Sequence, residues 1–348
     1  MSELKESIVA ALEPLKRLSR DLKQAAATLS QDEARYLVDS YYQMQDDRKR
    51  ADSQVTALDK SDEPHEVLAW LGGNTEMLER NIKSALGIYA AANPVGQWSQ
   101  SILGIGDVIS AGLLAHIDIT KAPTVGHIWR FAGLDPTSKW IGTKKATEIV
   151  ELVMDLSSSK KVNEDTVAGC VKALREFEKS DVKADRVLTL ATTDFRTGEV
   201  KKLTKTSLIK ALSKRPHSAN LKVLCWKIGE SFVKVKGNPK SLYGALFTER
   251  WAYEHQRNDA GELADQAKMK LERFNIGKGT DAYKAYSEGR LPKAHILARA
   301  KRWTAKLFLA HWQHVAYEVH YGEAPPKPYV LTYLDHAHEI TVPNWPMT

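Results

Sequence analysis

Residues 100–118, QSILGIGDVISAGLLAHID, restrict the fold more than any other stretch of the chain. Leu103-Gly104-Ile105-Gly106 places two glycines around one isoleucine, and an apolar run at helical spacing follows at once. Glycine enters backbone conformations closed to other residues and lets the main chain approach another group closely. The pattern predicts a helix-hairpin-helix. Ile109, Leu113, Leu114 and Ile117 would form the apolar stripe of its second helix, and Ser110 and Ala111 are small enough for close packing of the pair. The N–H groups of such a turn, with the N-terminus of the second helix, form an anion site suited to phosphate. Asp107 either caps that helix or sets a negative charge beside the anion. Hairpins of this form also serve as plain packing elements, so both roles stand open at this point.

Around the hairpin the chain is periodic for helices. Leu4, Ile8, Leu12, Leu15 and Leu18 recur at helical spacing, with Pro14 as a bend. Ser30 before Asp32 and Glu33 is a helix start for the run carrying Leu37, Tyr41 and Met44. The stretch 58–66 is a polar loop broken by Pro64, and Leu78, Ile82 and Leu86 line a further helix that ends near Asn93-Pro94. Pro123 and Thr124 start a helix through Phe131, which Gly133 and Pro136 end.

Residues 144–215 read as a mixed insertion: helices at 146–156 and 164–178, a β-like piece around RVLTLATTDF, and a helix from Thr206 to Ser213 capped by Thr204 or Thr206. A helix-turn-helix within it is the alternative to a solvated insert. Leu221, Leu224, Cys225, Ile228 and Phe232 stripe the next helix. Another helix breaks near Asp259-Ala-Gly, and a last one runs from Pro292 to Gly322. The expected fold is mainly α, with a helical region at 1–97, a helix-hairpin-helix at 98–143 and the insertion at 144–215. Long C-terminal helices would fill 216–322, and an irregular tail 323–348.

Charge is segregated along the 348 residues. Residues 1–70 hold 14 acids and 10 bases, residues 201–236 hold ten Lys or Arg against Glu230 alone, and residues 289–306 hold six cations and no acid. Such asymmetry would attract a polyanion by counterion release, nucleic acid being the usual one: duplex DNA is the expected partner and RNA a second polyanion, with a solvated basic face that has no partner as the alternative. No run of about 18 apolar residues is present, which argues against a membrane partner. The opening MSELKESIVAALEPLKRL mixes charges through its apolar residues, unlike a signal peptide, and Cys170 and Cys225 are the only cysteines. The expected place is the cytoplasm of a bacterial or phage-infected cell, with a homo-oligomer left open.

The stretch ILGIGDVISAGLLAHIDITKAPTVGHIWRFAGLDP resembles the C-terminal domain of the bridge-RNA-guided insertion-sequence transposases, and the similarity resumes in SANLKVLCWKIGESF and ARAKRWTAKLFLAHWQHV. It covers about 98–143 and 216–318, and the whole chain looks like phage and prophage proteins labelled transposase. The resemblance implies a DNA recombinase whose serine, shortly after Gly-Leu-x-Pro, attacks a DNA phosphate. Ser138 stands near that place, though outside the family's Ser-Ser-Gly context. Lys139, Lys144 and Lys145 beside it would offset the charge of the reacting phosphate. The family's RNase H-like domain, with its carboxylate set for Mg²⁺, has no counterpart here, so no cofactor is evident and Mg²⁺ is left without a ligand set.

The DNA-contacting residues expected on this reading are Leu103, Gly104, Ile105, Gly106, Lys139, Lys144, Lys145, Lys222, Lys227, Arg299, Arg302 and Lys306; Arg250 and Arg257 are further phosphate candidates. His311, His314 and Glu318 share a helical spacing suited to a metal, and Asp118, His127 and Asp135 flank the hairpin as an acid–base cluster; core and cap roles compete with both. Trp129, Trp140, Trp226, Trp251, Trp303 and Trp312 are base-stacking rings or core. A base-modifying phage enzyme that docks through the hairpin, and a non-catalytic adaptor using the acidic N-terminal helices, are the alternative functions.

Overall fold

The computed structural model describes residues 17–60, 66–136, 140–157, 161–178, 182–195, 197–326 and 340–347. Of the helix expected over Leu4, Ile8, Leu12, Leu15 and Leu18, all but Leu18 lie outside these residues, as do Ser138, Lys139 and Pro64; Leu18 is not helical and precedes the Ser19 cap of the first described helix. Among the described residues the chain is helical, and a single bridge between Thr193 and Val200 is its only strand-like pairing. No helix described is long and apolar enough to cross a membrane. The chain divides into two compact units, one formed by 1–128 with 223–348 and the other by 129–222.

The first unit begins with α1 (Arg20–Ala26), followed by the long helices α2 (Gln31–Lys60) and α3 (Glu66–Ala91), which pack along each other. Ser30 starts α2 through a reciprocal cap: Glu33 N–H donates to Ser30 Oγ (3.2 Å), and Ser30 N–H donates to the Glu33 carboxylate (2.8 Å). The expected stripe on α3 is partly corrected. Leu86 is fully buried, but Leu78 is exposed, and Glu79 next to it turns inward. Arg48 (2.7 Å) and Gln45 (3.2 Å) of α2 donate to the Glu79 carboxylate, so the α2–α3 register is held by an ion pair as well as by apolar contact.

Asn93 caps α4 (Pro94–Ser101), and α5 (Asp107–His116) follows the glycine turn. After a short 3₁₀ turn comes α6 (Val125–Phe131), within which the first unit gives way to the second. The second unit holds α7 (Gly142–Leu156), α8 (Glu164–Glu178), α9 (Ala184–Thr192) and α10 (Lys205–Leu212). Here the expected β-like piece is a helix. Val187 and Ala191 recur at helical spacing on the buried side, and the Thr189 and Thr192 hydroxyls donate to carbonyls four residues back, which suits α9 despite its β-branched content. The core of this unit is aliphatic, with Ile149, Val150, Val171, Leu174 and Leu208 at its centre.

The chain re-enters the first unit within α11 (Ala219–Lys234), then forms α12 (Leu242–Asp259), α13 (Ala264–Arg273), α14 (Asp281–Ser287) and α15 (Lys293–Tyr321). Leu224, Cys225, Ile228 and Phe232 of α11 are buried as their spacing predicts. An aromatic cluster centres this unit: Trp98 stacks on Phe308 (5.7 Å between ring centres), Phe232 on Tyr243 (4.7 Å), and Phe308 meets Tyr243 edge-on. Residues 340–347 lie against this core, with Trp98 Nε1 donating to the Pro343 carbonyl (2.8 Å).

Candidate nucleic-acid interface

The hairpin expected from residues 100–118 is present: α4, a turn at Ile102–Gly106, and α5. Gly104 has φ +103°, a region that side-chain-bearing residues rarely enter, and a Cβ there would lie 3.2 Å from Val235 Cγ2 and 3.4 Å from Phe232 Cδ1. Glycine at 104 is therefore required by conformation and by contact. The Ser231 hydroxyl donates to its carbonyl, tying the turn to the C-terminal end of α11. Ile105 is buried and its N–H closes the turn on the Ile102 carbonyl (2.9 Å), so Ile105 anchors the turn from within the core. Leu103 and Gly106 are exposed.

Gly106 differs from Gly104 in every respect that matters. Its φ is −101°, which any residue adopts, and a Cβ added there would meet nothing within 4 Å. It is the N-cap of α5 and has no side chain to close the first turn. The two ends of α5 are thus treated differently. At the C-terminal end, Arg35 donates to the Ala115 carbonyl (2.6 Å) and Gln31 to the Leu114 carbonyl (3.3 Å). At the N-terminal end the Asp107 carboxylate is held against α3 and α4: Gln100 Nε2 donates to it (3.0 Å), and a Cβ at Gly87 would fall 2.9 Å from its Cγ.

Two cations near this turn were not singled out by sequence reasoning. Lys234 and Lys236 flank Val235, the residue that meets Gly104, and both are exposed. The signal was the apolar spacing Ile228, Phe232, Val235, which turns one face of the helix end toward the hairpin. Lys236 Nζ lies 5.3 Å from the centre of the Trp251 ring. Lys227, seven residues before Lys234, sits over the Tyr42 ring at 3.8 Å; burial lowers its pKa, as do the charges of Lys49 and Lys234.

The cations of α15 have other surroundings. Arg299 donates from Nε to Glu254 (2.7 Å) and from a terminal nitrogen to Gln266 (2.7 Å), while Arg250 reaches the other Glu254 oxygen (2.5 Å). Glu254 is 1% exposed, so Arg299 neutralises a buried carboxylate inside the fold, far from the role of a free phosphate contact. Arg257 pairs with Glu262 at 2.6 Å. Arg302 is exposed and donates to the Ala298 carbonyl (3.2 Å); Lys306, one turn on, is partly buried.

In the second unit, Lys144 and Lys222 are exposed and Lys145 pairs with Glu148 (3.3 Å). The lysines expected around Ser138 are therefore described only at 144 and 145, with the serine itself outside the described residues.

The metal and acid–base clusters read from the sequence have local explanations. Tyr243 OH lies 2.6 Å from His311 Nδ1, and His311 Nε2 lies 2.9 Å from the Ile340 carbonyl, so both ring nitrogens are engaged. Burial pushes the His311 pKa down to about 4, which makes it a neutral core histidine. His314 pairs with Glu318 (3.1 Å), which also accepts from Trp345. Asp118 caps the 3₁₀ turn through Thr120 N–H (3.1 Å), and hydrogen bonds from Lys121 and Thr120 hold its carboxyl down to about 2. His127 meets Thr124 Oγ1 at 2.9 Å. Among the described residues no group of three or more His, Cys, Asp or Glu is arranged to hold a metal.

Fold and site together define a mainly α-helical protein with a glycine-turn hairpin whose second helix is left open at its N-terminus. No protein-family model, curated protein or solved structure matches the chain.

Proposed function

We propose that this protein binds duplex DNA by its backbone, as a transposase-like protein of recombinase ancestry, with the α4–α5 hairpin as its grip. The observation that carries the reading is Gly106. Neither backbone conformation nor packing calls for glycine there, yet its presence leaves the first turn of α5 without a side-chain cap. A serine or aspartate would stabilise the helix better, whereas a bare turn admits a phosphate oxygen to the N–H groups. Lys234 and Lys236, exposed on either side of the Val235 that meets Gly104, supply positive charge of the kind a phosphodiester favours. Contacts of this kind read phosphates and not base edges, so binding is independent of sequence at the hairpin.

Strand transfer, if the protein performs it, falls to Ser138, following the resemblance; loss of plasmid cleavage or joining in Ser138→Ala is its test. The binding reading is tested by fluorescence anisotropy on a labelled 20-base-pair duplex across a salt series. Gly106→Asp, which caps α5 and adds a negative charge, is expected to weaken binding about tenfold or more while leaving the fold equally or more stable. Lys234→Gln with Lys236→Gln should flatten the salt slope by about two units. Unchanged affinity and slope in both variants would overturn the hairpin as the grip.

A further inference from the structure

The second unit carries a feature the hairpin does not use. Trp140, just before α7, is 47% exposed, and its indole N–H donates to the Ser213 carbonyl at the end of α10 (2.7 Å). Phe195, in the tight turn between α9 and α10, is 65% exposed. That turn is pinned by Asp194 N–H to the Glu199 carbonyl (2.9 Å) and by Gly198 N–H to the Asp194 carbonyl (2.7 Å). The two residues after Ser213 are both cations, and each lies over one of these rings. Lys214 Nζ is 5.1 Å from the Phe195 ring centre, and Arg215 Cζ is 5.0 Å from that of Trp140. Two exposed rings therefore flank one short cationic segment.

The surrounding charge is one-sided. Residues 200–222 contain seven Lys or Arg and no acid. Lys201 pairs with Asp194 and Lys205 with Glu151, and neither pair involves Lys214 or Arg215. Each cation–ring contact contributes about 0.5–1 kcal/mol at an exposed site, yet much of both rings stays in solvent and the adjacent like charges repel. A polyanion with free aromatic faces suits both features at once. In a duplex the base faces are stacked on one another; in a single strand they are open to a protein ring while the phosphates meet the cations.

We infer that Trp140 and Phe195, with Lys214 and Arg215, form a stacking platform for single-stranded DNA, separate from the hairpin in the first unit. The choice of DNA over RNA rests on the function proposed above. The platform binds a strand by ring–base stacking and phosphate neutralisation, without reading its sequence.

The test uses the full chain and three labelled probes: a dT 20-mer, a U 20-mer and a 20-base-pair duplex. Trp140→Ala and Phe195→Ala should each weaken dT binding about fivefold or more and leave duplex binding unchanged. Trp140→Phe should retain most of the affinity, and Lys214→Gln with Arg215→Gln should weaken dT binding and flatten its salt dependence by about 1.4 units. Circular dichroism and thermal melting of each variant verify that the fold is intact. The platform is overturned if folded Trp140→Ala and Phe195→Ala variants bind dT as tightly as the parent, or if duplex binding falls equally. Dependence on the rings seen with U and not with dT overturns the assignment to DNA. Gly106→Asp separates the two proposals: it bears on the duplex alone, so the hairpin and the platform can fail independently.

Discussion

The two units are centred on different side chains. In the first, Trp98, Phe232, Tyr243 and Phe308 are buried against one another, and the helices α4, α11, α12 and α15 meet around them. In the second, the core is made of alanine, valine, isoleucine, leucine and Cys170, while Trp140 and Phe195 stand at the surface under cations. Rings that bury wide apolar surface hold a fold together. Exposed rings beside cations occur in the first unit too, at Tyr253 and Phe274; Trp140 and Phe195 stand apart because two consecutive cations, Lys214 and Arg215, lie over the two rings.

The sharpest way to break this contrast is a pair of truncations. Phe308→Ala removes a fully buried ring and should cost about 3–5 kcal/mol in urea denaturation, whereas Trp140→Ala should cost about 1–2 kcal/mol. Trp140 loses its hydrogen bond to the Ser213 carbonyl as well, so its loss should exceed that of a free surface ring while staying below that of Phe308; a loss equal to Phe308's would mean that Trp140 belongs to the core of its unit. Next comes pH. His311 has its pKa depressed to about 4 by burial in the first unit, so the unfolded chain, near 6.5, binds the proton more readily. Stability is thus fully present above about pH 6.5 and declines as pH falls toward about 4, by about 3 kcal/mol for this group. His295, also held down to about 4 by burial, adds to the same loss; urea midpoints at pH 7 and 4.5 measure the sum, and His311→Gln should remove only its own share of the pH dependence. An unchanged profile in His311→Gln would show that His311 takes up its proton in the fold as readily as in the unfolded chain.

The smallest contrast lies within the hairpin. Gly104→Ala forces φ +103° on a residue with a Cβ that lies 3.2 Å from Val235, and should cost about 1–3 kcal/mol. Gly106→Ala should alter stability by under about 0.5 kcal/mol, because its backbone is ordinary and its surroundings open. Differential scanning calorimetry distinguishes the two; a large loss at Gly106 would give that glycine a structural explanation.

Much of the helical layout was legible in the residues because its causes are local. Ser30 and Glu33 close a cap three residues apart, Thr204 and Ser207 do the same for α10, and Gly322 ends α15 in the left-handed region. The stripe Leu224, Cys225, Ile228, Phe232 foretold a buried face. The misread β-like piece in α9 failed because β-branched content competes with periodicity, and periodicity prevailed once Val187 and Ala191 had a core to enter. Leu78 failed for a related reason: the stripe on α3 accommodates Glu79, whose partner Arg48 lies on another helix.

The candidate site was legible only in its backbone. The sequence by itself determined the glycine turn, the helix after it and the segregation of charge, since these follow from conformational preference and composition along neighbouring residues. Which cations are free, and which rings are exposed, was decided by tertiary structure alone. Arg299 is taken up by Glu254, 45 residues away along the chain, whereas Val235, between Lys234 and Lys236, packs on Gly104. Charge and aromatic surface act through space, and residues distant in sequence share that space only after the chain has folded.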